Sequence, residues 1–405
     1  MKKFWRGLTA PYRADSRFVA SADLMRIFCV FLIAWYHIWQ QSWLNPVLKI
    51  GSLRLDFNPI VRTGYLTVDL LLMLSGFLLF LPYARHLVEK TPLPSAGEYY
   101  KKRAARILPS YLLCIFVILF CFALPNNEYP SEKHMWVDLL AHLTFTHNLH
   151  PLSYQSTHLN GVLWTLAVEV QFYLIAPLVC RAFMKKPFWM YLIMTGAAFV
   201  YRFCYVLPMD DCTAYLNRLP AMLDVYANGM MSALVYVMLC RHMRRAGWKS
   251  LIMTVIAVLC GIAIYQMMRN QSRASGYSAI HAGQLLRRFQ LSAASAGFLV
   301  SAGLGLNWLC RLISSKPVRW LSMISFNVYI WHAYAAIKLK EWQIPPYTAA
   351  MPNQAGEQPW QTLYTWLAIG TAVVIGALVT YLVEKPCAWL ILRPWRKKKK
   401  EPAAE

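Results

Sequence analysis

The sequence predicts an all-α polytopic membrane protein with about ten transmembrane helices and with both termini in the cytoplasm. Three observations predict it: a strongly apolar composition, ten apolar segments of membrane-spanning length, and positive charge concentrated between alternate segments. Of the 405 residues, 58% are hydrophobic and only 15% are charged, whereas a soluble chain carries about 25% charged residues. This composition excludes an ordinary soluble domain and an intrinsically disordered chain.

Each predicted span is long enough for an α-helix to cross the bilayer, which takes roughly 20 residues for about 30 Å of hydrocarbon. The first is not expected to be a signal peptide, because Arg26 and His37 lie within it. The eighth is rich in small residues, which membrane helices use where they pack closely. The ten predicted spans are Leu24–Ser42, Leu66–Tyr83, Ile107–Leu124, Val162–Phe183, Phe188–Leu207, Ala221–Cys240, Leu251–Met268, Leu291–Leu309, Val318–Lys338 and Trp360–Val383.

The positive charge predicts the orientation of these spans. Lys and Arg number 41 against 18 Asp and Glu, and placing residues 1–23 in the cytoplasm puts most of the 41 on that side, as the positive-inside rule requires. We expect the basic run Arg396–Lys400 to bind anionic lipid at the membrane surface, and we expect no nucleic-acid partner. We predict a cytoplasmic tail over 1–23, a single ten-helix membrane domain over 24–384 and a basic cytoplasmic tail over 385–405, with no additional soluble domain.

Five histidines and acidic residues fall inside the predicted spans: His37, Asp69, Glu169, Asp224 and His332. Such groups are costly in hydrocarbon, so they indicate function by default. At about 1.5 Å of rise per residue, all five are expected in one layer of the outer half of the membrane. Hydrophobic packing alone does not call for that convergence.

Arginines are expected near the cytoplasmic end of the same bundle. Arg26 and His37 are eleven helical steps apart and should share one face of the first span, about 16 Å apart along its axis. Arg103 and Arg106 are three residues apart and should face one way at the membrane edge. Planar guanidinium groups suit phosphates, so the three arginines are candidates for a phosphate-binding site.

No metal site is predicted. The ten cysteines include no CxxC pair, and several lie inside apolar runs. The predicted outer loop over residues 125–160 carries five histidines without close metal-ligand spacing. We expect this loop to form part of an acceptor-binding surface.

Six short strings resemble, in order, the motifs of the integral-membrane acyltransferase-3 family of O-acyltransferases, which modify glycans. Leu71 and Leu72 stand where phenylalanines are common in the family, and Lys385 stands where arginine is common. None of these departures removes a titratable group. The strings are Arg26 with His37, Thr67–Leu78, Tyr100–Pro109, Trp164–Tyr173, Asn327–His332 and Val383–Pro386.

The resemblance implies transfer of an acyl group, acetyl being favoured, from a cytoplasmic acyl-coenzyme A to a hydroxyl of a cell-surface or lipid-linked glycan. The acyl-CoA would be a substrate, with no permanently bound cofactor. The membrane would be a bacterial-type plasma or inner membrane. The sequence does not specify which glycan accepts the acyl group or which acyl group is transferred.

The resemblance also suggests roles for individual side chains. His37 is expected to act as general base, with Asp69 or Glu169 orienting its ring. Arg26, Arg103 and Arg106 would bind the phosphates of the donor. Groups expected near the oxyanion or the sugar are Ser75, Trp164, Tyr173 and His332.

Several alternatives stay open at the level of sequence. Buried histidines and carboxylates also suit a proton-coupled transporter. His37 and His332 could bind haem as an axial pair, and His37 could carry the acyl group covalently. Glu384 is expected to pair with a local Arg or Lys, and Asp224 with Arg218 or another outer arginine.

Overall fold

A computed structural model describes residues 19–243 and 247–398. Ten helical segments in these ranges, α1 to α10, correspond in order to the ten predicted spans, and this confirms the all-α membrane class. Three of them continue as short π-helices, at Leu119–Ala123 after α3, Tyr201–Val206 after α5 and Thr380–Glu384 after α10. The ten segments are α1 Ala20–Ser42, α2 Thr67–Glu89, α3 Ala96–Ile118, α4 Trp164–Lys185, α5 Pro187–Val200, α6 Leu223–His242, α7 Gly247–Ser272, α8 Tyr277–Gly303, α9 Lys316–Glu341 and α10 Trp360–Val379.

Not all ten are apolar enough to count as spans by length and composition. Eight helices in the described ranges pass, and a ninth passes if α8 is joined to the short helix Asn307–Ile313, from which it is bent by 109°. Helix α9 is long enough at 26 residues, but polar residues such as Asn327 and His332 lower its hydropathy. Both side chains are fully buried, so its polar face points into the protein.

Two helices begin well before the predicted spans. Helix α3 begins at Ala96, eleven residues before the predicted Ile107, because Ser95 caps it by accepting a hydrogen bond from the Glu98 amide. Helix α8 begins at Tyr277, although a loop was predicted up to residue 290. Polar residues in the first turns of both helices hid these starts from a search for apolar segments.

The predicted tails are described only in part. The polypeptide continues as a helix over Lys385–Lys398, inside the predicted C-terminal tail. Residues 1–18 of the predicted N-terminal tail and residues 399–405, with the end of the basic run, lie outside the described residues. The cytoplasmic placement of both termini stays a prediction.

Short elements connect the long helices. An antiparallel hairpin of β1, Val47–Ile50, and β2, Leu53–Asp56, pairs Leu48 with Leu55. It joins α1 to α2 together with the helix Asn58–Val61. Further short helices are Glu132–Leu143, Pro151–Tyr154 and Thr213–Leu216.

The long helices enclose one large apolar core and two smaller apolar clusters. Helix α1 packs on α9, α9 packs on α10, and α2 packs on α6. Helices α2 and α6 approach each other closely, because Gly76 and Gly229 let the two backbones touch: a Cβ atom on Gly76 would lie 2.6 Å from the Tyr226 carbonyl oxygen. Gly76 thus has the packing role that small residues have between membrane helices.

Candidate active site

One cavity, which we call the arginine cavity, lies between α1, α2, α3, α4 and α9. Its volume is about 340 Å³. The arginines expected to meet near one end of the bundle do so here, because α1 contributes Arg26 and α3 contributes Arg103 and Arg106. Its polar lining consists of Arg26, Ser75, Arg103, Arg106, Thr165, Glu169, Tyr173, Ser325 and Tyr329.

The three arginines are held differently. Arg26 donates to Asp23 at 3.3 Å and to Ser322 at 3.1 Å, which fixes its position on α1. The guanidinium of Arg103 lies over the ring of Tyr173, 5.1 Å from its centroid. Arg106 is exposed. Together they make one wall of the cavity strongly cationic.

Glu169 lies in the arginine cavity and bridges α4 to α2. The Ser75 hydroxyl donates to its Oε1 at 2.7 Å, and the Tyr173 hydroxyl donates to the same oxygen. The Ser75 and Tyr173 oxygens lie 3.1 Å apart. Glu169 therefore makes its hydrogen bonds with Ser75 and Tyr173 and not with the ring of His37. The expectation that Glu169 orients the His37 ring is not met.

A second cavity, the histidine cavity, has a volume of about 230 Å³ and is lined by His37. Aromatic rings and neutral amides dominate its lining, and Trp164 belongs to it. Its polar and aromatic lining residues are Tyr36, His37, Tyr65, Tyr154, Trp164, Thr213, Asn217, His281, Gln284 and Tyr329.

Val68 and Tyr329 line both cavities and form a shared wall between them. The Tyr329 hydroxyl donates to the Val162 carbonyl at 2.9 Å and lies 2.6 Å from the Thr165 hydroxyl. These bonds tie α9 to the start of α4. Only side chains therefore separate the arginines from His37 at this point.

The tautomer of His37 follows from its hydrogen bonds. Gln40 donates through Nε2 to the Tyr36 hydroxyl at 2.9 Å, so its Oε1 is the acceptor for His37 Nδ1 at 3.0 Å. His37 then carries its hydrogen on Nδ1, and Nε2 keeps a lone pair. A neutral imidazole with a free Nε2 is the form that a general base requires.

His332 lies beside His37, with 5.2 Å between the ring centroids. The prediction that the two rings share one depth is therefore confirmed. His332 is fully buried, its Nδ1 donates to the Tyr329 carbonyl at 2.6 Å, and it lines neither cavity. A porphyrin between the two rings would need a cavity that both of them line, so this arrangement argues against haem binding.

Asp69 pairs with an arginine instead of orienting His37. Its Oδ1 lies 3.1 Å from Nε of Arg288, and both side chains are buried. Arg288 also donates to the Leu216 carbonyl at 2.9 Å and to Asn217 Oδ1 at 3.2 Å. Sequence reasoning placed Arg288 in an outer loop, and the early start of α8 is the reason it is available to Asp69.

Two other acidic residues also have partners that the sequence did not single out. Asp224 forms a buried ion pair with Arg202 rather than with Arg218; Arg202 was among the predicted outer arginines. Glu384 accepts from Asn327 Nδ2 at 2.7 Å, so its observed hydrogen-bond donor is an amide rather than an Arg or Lys. This bond joins the last two of the six motif strings.

The loop over residues 125–160 has its own polar core. Asp138 accepts from Tyr129 and Thr157, each at 3.0 Å. Burial lowers the pKa of His147 well below its usual value, and the neighbouring His142 ring lowers it further. The loop contributes Tyr154 to the histidine cavity, and its role in binding an acceptor stays a prediction.

Three residues of the site were missed by sequence reasoning: Gln40, Thr165 and Tyr329. Gln40 is three residues after His37 on α1, and Tyr329 is three residues before His332 on α9. Neighbours at this spacing share a helix face, and this was the available signal. Thr165 follows Trp164 within a motif string but was not weighed.

Comparisons with known proteins find relatives among O-acetyltransferases. The chain is 25% identical over 398 residues to peptidoglycan O-acetyltransferase OatA of Listeria monocytogenes, a match covering 92% of this chain and 56% of that protein. It is 28% identical over 172 residues to O-acetyltransferase OatA of Staphylococcus aureus strain COL, covering 40% of this chain and 25% of that protein. The chain thus spans about half the length, or less, of these relatives. No solved structure matches it.

The family comparison covers almost the whole of the helical bundle. A family model described as an acyltransferase domain matches residues 19–382, from the start of α1 to the π-helix after α10. The match includes both cavities and every residue placed in them above. It confirms the resemblance seen in the six motif strings: the chain belongs to the acyltransferase-3 family.

Proposed function

We propose that this protein is a membrane-embedded O-acyltransferase that moves an acyl group, most simply acetyl, from an acyl-coenzyme A to a hydroxyl of a glycan. The observation that carries the proposal is the pair of cavities meeting at Val68 and Tyr329. One offers cations for a phosphate-bearing donor, and the other offers a base beside aromatic and amide groups. Transfer between two substrates needs such a junction.

The donor would bind in the arginine cavity. The phosphates of coenzyme A are polyanionic, and Arg26, Arg103 and Arg106 line this cavity, where charge-assisted hydrogen bonds to phosphate are strong. Arg26 and His37 are about 16 Å apart along α1. An extended pantetheine arm of about 15–20 Å covers that separation. The thioester would then reach the shared wall with its phosphates still on the arginines.

The acceptor would bind in the histidine cavity. Tyr36, Tyr154 and Trp164 present aromatic faces there, and Asn217 and Gln284 present amides. Aromatic rings pack against the apolar faces of sugars, while amides donate to and accept from hydroxyl groups. A saccharide fits this lining better than an inorganic ion does.

His37 would supply the chemistry. Its Nε2 removes the proton from the acceptor hydroxyl as the hydroxyl oxygen bonds to the thioester carbonyl carbon. The carbon–sulfur bond then breaks, and the coenzyme A thiolate takes the proton from Nε2. Atoms and protons balance, and His37 returns to its starting form without carrying the acyl group.

The names of related proteins suggest which glycan acceptor to test first. The Listeria protein is named a peptidoglycan O-acetyltransferase, so peptidoglycan is the first acceptor to test. We place the protein in a bacterial plasma or inner membrane, embedded in the lipid bilayer. In the orientation predicted from its charges, the arginine cavity faces the cytoplasm and the histidine cavity faces outward.

Mass spectrometry of surface glycans tests the activity in cells. Cells that make the wild-type protein should carry ester-linked acetyl groups that are absent from cells without it. Cells that make His37→Ala at an equal membrane level should match the cells without the protein. Identical glycans in all three would refute the proposal.

A further inference from the structure

Tyr65 lines the histidine cavity with a hydroxyl group whose hydrogen is available. Its oxygen accepts a hydrogen bond from Nε2 of Gln271 at 2.9 Å. Among the residues that the structure describes, none accepts the hydrogen of this hydroxyl in return. Since a phenol oxygen that accepts one hydrogen bond can still donate another, the hydroxyl of Tyr65 can donate to a bound substrate.

Gln271 is buried and held in one orientation. It is 1% exposed, its Nε2 also donates to the Ile280 carbonyl at 2.9 Å, and its Oε1 accepts from Nη1 of Arg287. Gly283 leaves the space for this contact, because a Cβ atom there would lie 2.5 Å from that Arg287 nitrogen. Hydrogen bonds in a chain polarise one another, so the Arg287 cation makes the hydroxyl of Tyr65 a stronger donor.

Tyr65 and His37 line the same small cavity, of about 230 Å³. The Tyr65 ring lies 5.3 Å from the Tyr36 ring, and the Tyr36 ring lies 5.0 Å from the His37 ring, measured between centroids. Val68, three residues after Tyr65, belongs to the wall shared with the arginine cavity. A thioester that crosses this wall from the arginines therefore enters the cavity beside Tyr65, with its carbonyl group within reach of His37.

We propose that Tyr65 is a catalytic residue that donates a hydrogen bond to the oxyanion of the tetrahedral intermediate. The inference rests on the proposed function. As the acceptor oxygen bonds to the acyl carbon, His37 takes its proton, and the electron pair of the carbonyl double bond moves onto the carbonyl oxygen. Tyr65 donates to this oxygen and keeps its own proton. The double bond then forms again, the carbon–sulfur bond breaks, and the thiolate takes the proton from His37.

Other candidate donors are less suited to this role. Ser75 and Tyr173 were expected near the oxyanion, but both donate to Glu169 and line the arginine cavity instead. Tyr36 lines the histidine cavity, and its oxygen accepts from Gln40. Gln40 is exposed, and its own oxygen is bonded to a neutral imidazole, which polarises a hydrogen-bond chain less than a guanidinium does.

Tyr65→Phe tests the role, because it removes one oxygen atom and keeps the ring. The measurement is kcat and KM for acetyl transfer to peptidoglycan fragments by the full-length protein in liposomes. We expect kcat to fall about 100-fold, as for the loss of an oxyanion donor in other enzymes, with the KM for both substrates unchanged. Wild-type kcat in this variant would overturn the inference. A raised KM for the glycan at unchanged kcat would also overturn it, because Tyr65 would then bind the acceptor.

Tyr191→Phe is the matched control. It loses a hydroxyl that donates to Asn228 Oδ1 at 2.8 Å, but Tyr191 lines neither cavity. It should keep the wild-type kcat. An equal loss of kcat in the two variants would show that a missing tyrosine hydroxyl acts on the fold and would contradict a specific role of Tyr65.

A double variant separates polarisation of Tyr65 from a merely structural role of Arg287. Arg287→Met alone should lower kcat severalfold, because the Tyr65 hydroxyl loses its polarising cation. In the Tyr65→Phe background the same change should have no further effect, since the hydroxyl on which it acts is absent. Equal losses in both backgrounds would contradict the hydrogen-bond chain.

His37→Ala distinguishes failure of the proposed function from failure of this inference. Full transfer by His37→Ala would remove the general base and with it the proposed function. Loss of transfer in His37→Ala, together with wild-type kcat in Tyr65→Phe, would remove only the role of Tyr65.

Discussion

The hydroxyls of Tyr329 and Thr165 lie 2.6 Å apart in the wall between the two cavities. Tyr329 reaches this position from α9, and Thr165 from the first turn of α4. Both helices also carry other groups of the candidate site, and Tyr329 itself lines both cavities. The wall keeps the arginine cavity distinct from the histidine cavity when no substrate is bound.

Shortening the side chain of Tyr329 should therefore allow acetyl-CoA to be hydrolysed without transfer of the acetyl group to a glycan. Tyr329→Ala removes a side chain that lines both cavities, and water from the histidine cavity should reach the thioester. We expect acetyl-CoA hydrolysis without a glycan acceptor to rise several-fold, because a closed site protects reactive groups from water. Release of free thiol measures it.

Tyr329→Phe is the control, since it keeps the ring and loses only the hydroxyl bonds. It should hydrolyse acetyl-CoA more slowly than Tyr329→Ala does. Equal, unchanged hydrolysis in both variants would show that Tyr329 does not separate the cavities.

Removing two arginines should weaken donor binding. In the double variant of Arg103→Ala and Arg106→Ala, the loss of charge-assisted hydrogen bonds, each worth about 1.5–3 kcal/mol, should lower coenzyme A affinity at least tenfold. Thermal stabilisation of the protein by coenzyme A measures this. Lys101→Ala is the matched control, because Lys101 is an exposed cation on the same helix that does not line the cavity. Unchanged stabilisation in the double variant would place the donor elsewhere.

The buried ion pair of Asp69 and Arg288 should make the folded protein sensitive to removal of either partner. Asp69→Leu or Arg288→Met alone leaves one buried charge without its partner, which typically costs about 3–5 kcal/mol. The double variant of Asp69→Leu and Arg288→Met should recover a large part of the loss, because neither charge then remains. Thermal unfolding in detergent gives the comparison. Losses that simply add would show that the two side chains are not coupled.

Close approach of α2 and α6 makes Gly76 sensitive to a single methyl group. Gly76→Ala would place its Cβ 2.6 Å from a backbone carbonyl oxygen, and we expect a loss of about 1–3 kcal/mol, as for overpacked cores. Gly196→Ala is the control, because its added Cβ meets nothing within 4 Å and alanine favours a helix. Equal melting temperatures for the two variants would contradict the packing seen here.

The helices could be predicted from the sequence because hydrocarbon admits few alternatives. Apolar segments of the right length gave all ten helices, and α1 ends at Ser42 as predicted. The starts of α3 and α8 could not be found in this way. Their opening turns include polar residues, and Ser95 caps the first turn of α3, so these starts have no apolar signature.

The residues of the site were easier to predict than their partners. A titratable group in a predicted span indicates function whatever it contacts, and this reasoning singled out His37 and Glu169 as candidates, whereas Arg103 and Arg106 were singled out by their three-residue spacing at the membrane edge. Partners depend on which helices are neighbours. The sequence does not state that α8 packs on α2, so Arg288 could not be assigned to Asp69. Asp69 and Glu169 were the two alternatives expected to orient His37, and each has other partners.

Transfer of label by the purified protein in liposomes tests the central claim most directly. Radiolabelled acetyl-CoA and peptidoglycan fragments are supplied, and ester-linked label on the glycan is counted for wild type, His37→Ala and the control His86→Ala. The account predicts label with wild type and the control, and a loss of at least about 100-fold with His37→Ala, the usual contribution of a general base. The folded variant should still be stabilised by coenzyme A. Full transfer by His37→Ala would contradict the account.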